Sequence, residues 1–356
     1  MPGEVDLLRE LVAIPSVSGE ETDLAVFVEE TARRWGLDVV RDANGVRIEV
    51  TGFSVGPTLA LASHLDVVPP GAGWTRDPWV PRIEGTRIYG RGSGDAKASV
   101  ASMLYATKDL VDRGGMDSGR LVVLLGFGEE TKNTTMGAAV EAVGDIDAAV
   151  IGEPTGLDFA IAQRGLLMVD LVAQGDQRHA AYASGNGDFT NSALVLARDL
   201  LRLDGLFASR THPLLGHATA TPTMLEAGVG RNVTPPVARA VLDVRSTPDW
   251  THEELAAELR NMLTADVIVT SRRLIPCETP PNSQLLACAA RLRPDAAHFG
   301  SPTCSDCVFF SRCDAFKCGP GTSRRSHTAD EYVDVPEVMA ARGFYAELVR
   351  AFLSGQ

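Results

Sequence analysis

The 356-residue chain has no apolar run approaching the length of a membrane span, so no transmembrane segment is expected. It has no basic start either. MPGEVDLLRELVAIPS carries acidic residues where a secretory signal is positively charged. Cationic side chains are the minority, with 33 Lys and Arg against 46 Asp and Glu. The resulting net charge of −13 argues against nucleic acid or an anionic membrane as partner. Internal repeats and low-complexity tracts are missing. Cysteine is sparse, six in all, at 277, 288, 304, 307, 313 and 318, which excludes a disulfide framework in a chain this long. What remains is a globular composition, 45% hydrophobic and 22% charged, sized for one large or two medium domains and expected in the cytoplasm.

Against that background, polar clusters at the ends of apolar runs stand out. Leu59–Ala62 reads as a buried strand that ends in His64-x-Asp66. About thirty residues on, a Gly-rich turn from Gly90 to Gly94 delivers Asp95. A neutral imidazole and a carboxylate at a strand end suit a borderline-soft divalent metal such as zinc. Asp66 is placed to accept the other ring N–H of His64 and fix its tautomer. Residues 121–127 are continuously apolar, read as a central strand covered on both faces, and end in Gly128-Glu129-Glu130. Asp147 to Ile151 is another buried strand, ending in Gly152-Glu153-Pro154-Thr155. Stray polar residues at ordinary strand-to-loop transitions are the alternative. However, an open α/β sheet presents its ligands outside the carboxyl ends of its strands. Crowded carboxylates without a cation would also repel and take up protons. Glu129 and Glu130 on an extended strand would point to opposite faces, so a loop or bulge must turn both inward.

The surrounding elements follow from periodicity. Helices are expected over 4–14, from about 20 to 36 behind Ser18-Gly19-Glu20-Glu21 as cap and acidic first turn, and over 96–112 and 136–143. A hairpin is expected from Asp38 to Val50, turning at Ala43-Asn44-Gly45. From about 162 the pattern becomes antiparallel. Strand 166–173, a helix near 190–203, strands 218–226 and 238–245, a helix begun by a capping box at Thr251, and strand 267–270 give the order of a ferredoxin-like unit. Helices at 282–293 and 335–353 rejoin the first layer. The expected organisation is residues 1–161 and 277–356 as one mixed, largely parallel α/β domain, with 162–276 inserted as an α+β dimerisation domain. Late in the chain comes one more loop histidine, His327, followed by Asp330-Glu331. Cys304-x-x-Cys307 with Cys313 and Cys318 has the outline of a zinc ribbon, but its apolar alternation reads better as helix then strand carrying reduced thiols.

Taken together, SHLDVVP, GRGSGDAKAS, GEE, GEPT, QRG…HAAY, RNVTP, LDVR and GPGTSRRSHTADEYV resemble one family from end to end and in its order. It is the metallo-aminoacylase and peptidase family that includes acetylornithine deacetylase, succinyl-diaminopimelate desuccinylase and glutamate carboxypeptidase. The resemblance implies two divalent ions, zinc with cobalt able to substitute. His64, Asp95 and Glu153 would hold one ion. Asp95, Glu130 and His327 would hold the other, with Asp95 bridging. Glu129 would be general base and then acid, Asp66 would orient His64, and the Asp95-Ala96 peptide would be cis. The resemblance also implies a homodimer through the inserted domain, with His179 crossing to the partner's site to stabilise the oxyanion. Asn232 and Arg245 match substrate-binding positions, although Arg245 could instead hold a structural ion pair. Thr303 lies in a substrate-loop match running from Gly300 to Asp306. His212, His217, His252 and His298 read as surface imidazoles. Two departures, Gly128 before the Glu pair and Ala-Lys-Ala after Asp95, touch no proposed ligand. GWTRDPW, SPTxSD and SHTADEYV look most like acetylornithine deacetylase-type members, implying N-acetylornithine cleavage to ornithine and acetate in arginine biosynthesis. Relatives act on acetyl- or succinyl-citrulline, carrier-linked lysine, succinyl-diaminopimelate or dipeptides. A non-catalytic metal-binding protein on the same scaffold is the contrasting reading.

Overall fold

The computed structural model describes residues 3–183 and 189–355. The chain divides into two compact units. One comprises Met1–Ile161, Glu278–Phe299 and Ser305–Gln356, the other Ala162–Cys277 and Gly300–Cys304.

The first unit opens with α1 (Gly3–Ala13) and α2 (Thr22–Arg34). Apolar residues at helical spacing bury one stripe of each, Val5, Leu8, Leu11 and Val12 on α1, Leu24, Ala25, Val28 and Ala32 on α2. The Ser18 cap expected for α2 does not form. The N-cap residue is Glu21, with no side-chain cap, and Ser18 is engaged elsewhere, as described below. The hairpin of β1 (Asp38–Asp42) and β2 (Gly45–Thr51) turns at Ala43-Asn44, where the Asn44 N–H donates to Asp42 Oδ1 at 2.7 Å. Then come β3 (Ser54–His64), the short pair β4 (Arg82–Glu84) and β5 (Arg87–Tyr89), α3 (Lys97–Asp112), β6 (Ser118–Gly126), α4 (Thr135–Val143), β7 (Ala148–Ile151) and β8 (Phe159–Gln163). In α3 the small residues Ala98, Ser99, Ala101 and Ser102 are all buried, because a helix without bulky side chains can lie close to its neighbours.

The second unit is β9 (Gly165–Gln174), α5 (Ser192–Leu201), β10 (Thr219–Ala227), β11 (Val237–Ser246), α6 (His252–Met262) and β12 (Asp266–Leu274). Its sheet runs β10-β11-β9-β12 with every neighbour antiparallel, the ferredoxin-like arrangement. Leu167, Val169 and Leu171 of β9 and Ala240, Leu242 and Val244 of β11 alternate into its core. Thr251 caps α6 in a reciprocal box with Glu254.

The first unit resumes with β13 (Cys277–Glu278), α7 (Gln284–Leu292), β14 (His298–Ser301), β15 (Asp314–Lys317), β16 (Tyr332–Asp334) and α8 (Val335–Leu353). The cysteine-rich segment forms a short 3-10 turn over Asp306–Phe310 followed by β15, and all six cysteines stand as thiols. The main sheet runs β1-β2-β6-β3-β7-β15-β8-β13. Its four central strands β6, β3, β7 and β15 are parallel. Leu121 to Leu125 of β6 are buried on both faces, which explains their unbroken apolar run. A parallel block puts several carboxyl ends along one edge, and His64 is the last residue of β3 there. No helix among the described residues is long and apolar enough to cross a membrane.

Candidate active site

At that edge, side chains from distant parts of the chain converge. His64 Nε2 lies 3.3 Å from Asp95 Oδ1 and 4.0 Å from Glu153 Oε1. His327 Nε2 lies 2.8 Å from Glu130 Oε1 and 3.7 Å from Asp95 Oδ2. The two oxygens of Asp95 therefore face two different imidazoles. His64, Asp95 and Glu130 each offer a ligand atom within 4.8 Å of the others. His64 and Asp95 are buried, while His327 is half exposed on its loop with φ 62°. The Asp95-Ala96 peptide is cis.

The structure resolves how two consecutive glutamates both turn inward. β6 ends at Gly126, and Gly128 adopts φ 63°, a left-handed conformation costly for other residues. The turn is held by the Asp66 carboxylate, which accepts from the backbone N–H of Glu129 at 3.0 Å and of Glu130 at 3.1 Å. Ser18 Oγ donates to the same carboxylate at 2.7 Å, and Glu21 Oε1 accepts from the Gly128 N–H at 3.1 Å. Asp66 faces His64 through both its carboxylate and its backbone. Its carboxylate Oδ1 stands 3.5 Å from His64 Nδ1, whereas its backbone oxygen is at 2.9 Å. A carbonyl oxygen only accepts, so Nδ1 donates to it, and Nε2 faces the carboxylates of Asp95 and Glu153.

The electrostatics describe a site crowded with negative charge. Burial alone would pull His64 down, but hydrogen bonds to Asp66 and Asp95 and nearby carboxylates outweigh it and raise its pKa well above the ordinary value. Burial would raise Asp95 and Asp66, yet the two stay below the usual carboxylate range because His64 pairs with both. Glu129 has no such compensation. Burial first, then the charge of Glu153, pushes it well up. Burial and Asp95 lift Glu153 to about 7. The buried Oε1 of Glu153 has no hydrogen-bond partner. Two imidazoles, several carboxylates and an unpartnered buried carboxylate oxygen fit a divalent cation, whose charge would relieve the repulsion.

Four further sequence candidates belong to the second unit. His179 is exposed. It begins a short 3-10 turn with its Nδ1 accepting from the Ala181 N–H at 3.2 Å, and it pairs by a β-bridge with Val233 beside the exposed Asn232. Arg245 forms a two-pronged ion pair with Asp243 at 2.7 and 3.0 Å. Thr303 is exposed, with its hydroxyl 3.0 Å from that of Ser301. Among the histidines read as surface imidazoles, His212 and His252 are in fact buried. His252 lies between Ser246 Oγ at 2.9 Å and the Arg272 carbonyl at 3.0 Å.

Sequence reading gave no role to Asn133, Arg91 or Glu331, and placed Asp306 only in the substrate-loop match. Asp306 is buried with its Oδ1 unpartnered, and burial drives its carboxyl up to about 8. Asn133, at φ 44°, donates from Nδ2 to Glu129 Oε1 at 3.4 Å. The SPTxSD match touched Asp306. For Asn133 no local pattern distinguished it from a loop residue.

A metal-binding edge with an adjacent uncommitted carboxylate is the apparatus of a metal-dependent amidohydrolase, and the comparisons with known proteins agree. The chain belongs to peptidase family M20/M25/M40, whose family model matches residues 60–351. It is 31% identical to a succinyl-diaminopimelate desuccinylase of Methylorubrum populi, covering 98% of both chains. It is 30% identical to a desuccinylase of the same name from Rhizorhabdus wittichii, again covering 98% of both. Among solved structures it is similar to an M20 family metallo-carboxypeptidase from Sulfolobus solfataricus, with TM-score 0.81 and 19% identity over 99% of this chain and 100% of that one. A dinuclear metal-binding M20 peptidase from Bacillus subtilis matches with TM-score 0.76 and 15% identity, over 99% and 98%. The chain is an acyl-amino-acid amidohydrolase of this family that uses divalent metal as its cofactor.

Proposed function

We propose that the chain removes the acyl group from an N-acylated diamino acid. In this reading His64, Asp95 and Glu153 hold one divalent ion, and Asp95, Glu130 and His327 hold the second. The observation that carries it is Asp95, whose two oxygens stand 3.3 and 3.7 Å from two different imidazoles, as a bridging carboxylate requires. Zn2+ suits a set of nitrogen and oxygen donors, and Co2+ is expected to replace it. When bound, such a pair supplies Lewis acidity that lowers the pKa of water and polarises an amide oxygen.

The remaining steps belong to the chain. Glu129 takes the proton of the attacking water on its carboxylate and hands it to the leaving nitrogen. Asn133 Nδ2 orients the Glu129 carboxylate at Oε1, and Asp66 fixes the backbone that carries it. His179 donates to the developing oxyanion from the partner subunit of a homodimer formed through the inserted unit. Asn232, Thr303 and Arg245 contact substrate. Asp243 occupies Nε and Nη2 of Arg245, so a substrate carboxylate takes the donors left on Nη1. Six thiols suit the reducing cytoplasm as the working compartment.

Relatives named succinyl-diaminopimelate desuccinylase at 30–31% identity favour N-succinyl-diaminopimelate as substrate. The motifs GWTRDPW and SHTADEYV favour N-acetylornithine, and with it arginine biosynthesis, as the second reading. Side-by-side assays of zinc-loaded protein on both compounds, N-acetylcitrulline and a dipeptide panel test the choice. The highest kcat/KM is expected on the succinyl substrate. A preference for acetylornithine selects the second reading. No turnover above that of Glu129→Ala on any of them contradicts both.

A further inference from the structure

Glu331 is buried, four residues beyond His327, and bonds almost entirely to the turn that presents Asp95. Its Oε1 accepts from the backbone N–H of Gly94 at 2.9 Å and of Asp95 at 3.1 Å. Its Oε2 accepts from Gly92 N–H at 3.2 Å and from Arg91 Nη1 at 2.5 Å. Its own carbonyl accepts from Gly90 N–H at 3.0 Å. Arg91 is equally buried, and its Nη2 donates to the Pro70 carbonyl at 3.2 Å. One carboxylate thus gathers three N–H groups of that turn, from Gly92, Gly94 and Asp95, and a guanidinium.

We propose that Glu331, held by Arg91, is a positioning residue for the metal centre: it fixes the Asp95 turn relative to the His327 loop and so sets the distance between their ligand atoms. This rests on the reading of Asp95 and His327 as ligands. Glutamine at 331 keeps the size but turns an NH2 group toward either Arg91 or the turn's N–H groups, setting donor against donor. A carboxylate one methylene shorter, as in Glu331→Asp, keeps the charge but cannot reach both sets of donors. Groups that orient ligands from behind typically carry a ten- to hundred-fold effect on metal affinity.

The test is zinc affinity by chelator competition on the full chain, alongside the thermal midpoint of the metal-free protein. Glu331→Gln is expected to bind zinc about ten-fold or more weakly, with a metal-free midpoint that remains a cooperative transition and with partial recovery in Glu331→Asp. Asp95→Asn serves as the ligand control. If Asp95→Asn binds zinc as the parent does, the ligand reading itself falls. If Asp95→Asn loses zinc while Glu331→Gln binds normally, the positioning role alone falls. Should Glu331→Gln not fold, Glu331→Asp carries the same expectation. Failure of both to fold makes Glu331 a folding residue and overturns the proposal.

Discussion

The two units of this chain bury opposite kinds of side chain at their sheets. In the second unit β9 and β11 turn alternate apolar residues into the core, Arg245 and Asp243 pair outside it, and the buried Asp199 is satisfied by the backbone N–H groups of Thr264 and Ala265. In the first unit, β3 from Leu59 to Ala62 and β6 from Leu121 to Leu125 are apolar and buried, yet the edge where they end buries His64, Asp66, Asp95 and Asp306. The second unit is stabilised by the composition of its core. The first carries an electrostatic burden at one edge that a bound cation relieves. The comparison teaches where function sits: the unit that accepts buried like charges is the one built to hold metal.

Glu129→Ala cuts most sharply between the two. It removes the acid that the reading makes the proton carrier and not a ligand. Its kcat/KM should fall by about 10²–10⁴-fold while zinc stoichiometry stays that of the parent. Zinc loss in this variant would move Glu129 into the ligand set. Next in size, Leu242→Ala empties a fully buried position of the second core and should cost about 2–5 kcal/mol in denaturant unfolding, with zinc stoichiometry unchanged. A loss of zinc with that substitution would erase the contrast drawn here.

A smaller effect is expected from pH on metal-free protein. Glu153 is raised from 4.5 to about 7 and Asp306 from 3.8 to about 8. A carboxyl with a raised folded pKa holds its proton more tightly when folded. It therefore contributes stability that is complete below the unfolded value and is lost as pH rises through the folded one. The metal-free midpoint should decline between about pH 5 and pH 8, and saturating zinc should flatten the decline. A flat metal-free profile would mean that the edge is not under charge stress. The smallest change is Thr251→Ala, which removes the α6 capping box and should cost about 1 kcal/mol, leaving hydrolysis untouched.

The ordered elements were largely legible because period-2 and period-3.6 patterns survive in sequence. The hairpin turn at Asn44, the capping box at Thr251 and the apolar run of β6 each carry a local signature. The residues proposed as ligands stood out as candidates because most of them follow apolar strands and all lie in recognisable motifs. The groups that hold them were not, for a physical reason: they act through contacts between distant segments. Ser18 looked like a helix cap but bonds Asp66, 48 residues away. Glu331 looked like loop polarity after His327 but collects the N–H groups of a turn some 240 residues earlier. Asp66 lay in the right motif, yet which of its oxygens meets His64 depends on a turn that sequence does not display.

Zinc stoichiometry at saturation, compared between the parent chain and a variant carrying both His64→Ala and His327→Ala, addresses the central claim most directly. The parent should take up two equivalents per chain, and the double variant should retain none at the concentrations that fill the parent. Two equivalents retained by the double variant would contradict the account, since the metal would then sit away from the edge where those imidazoles converge.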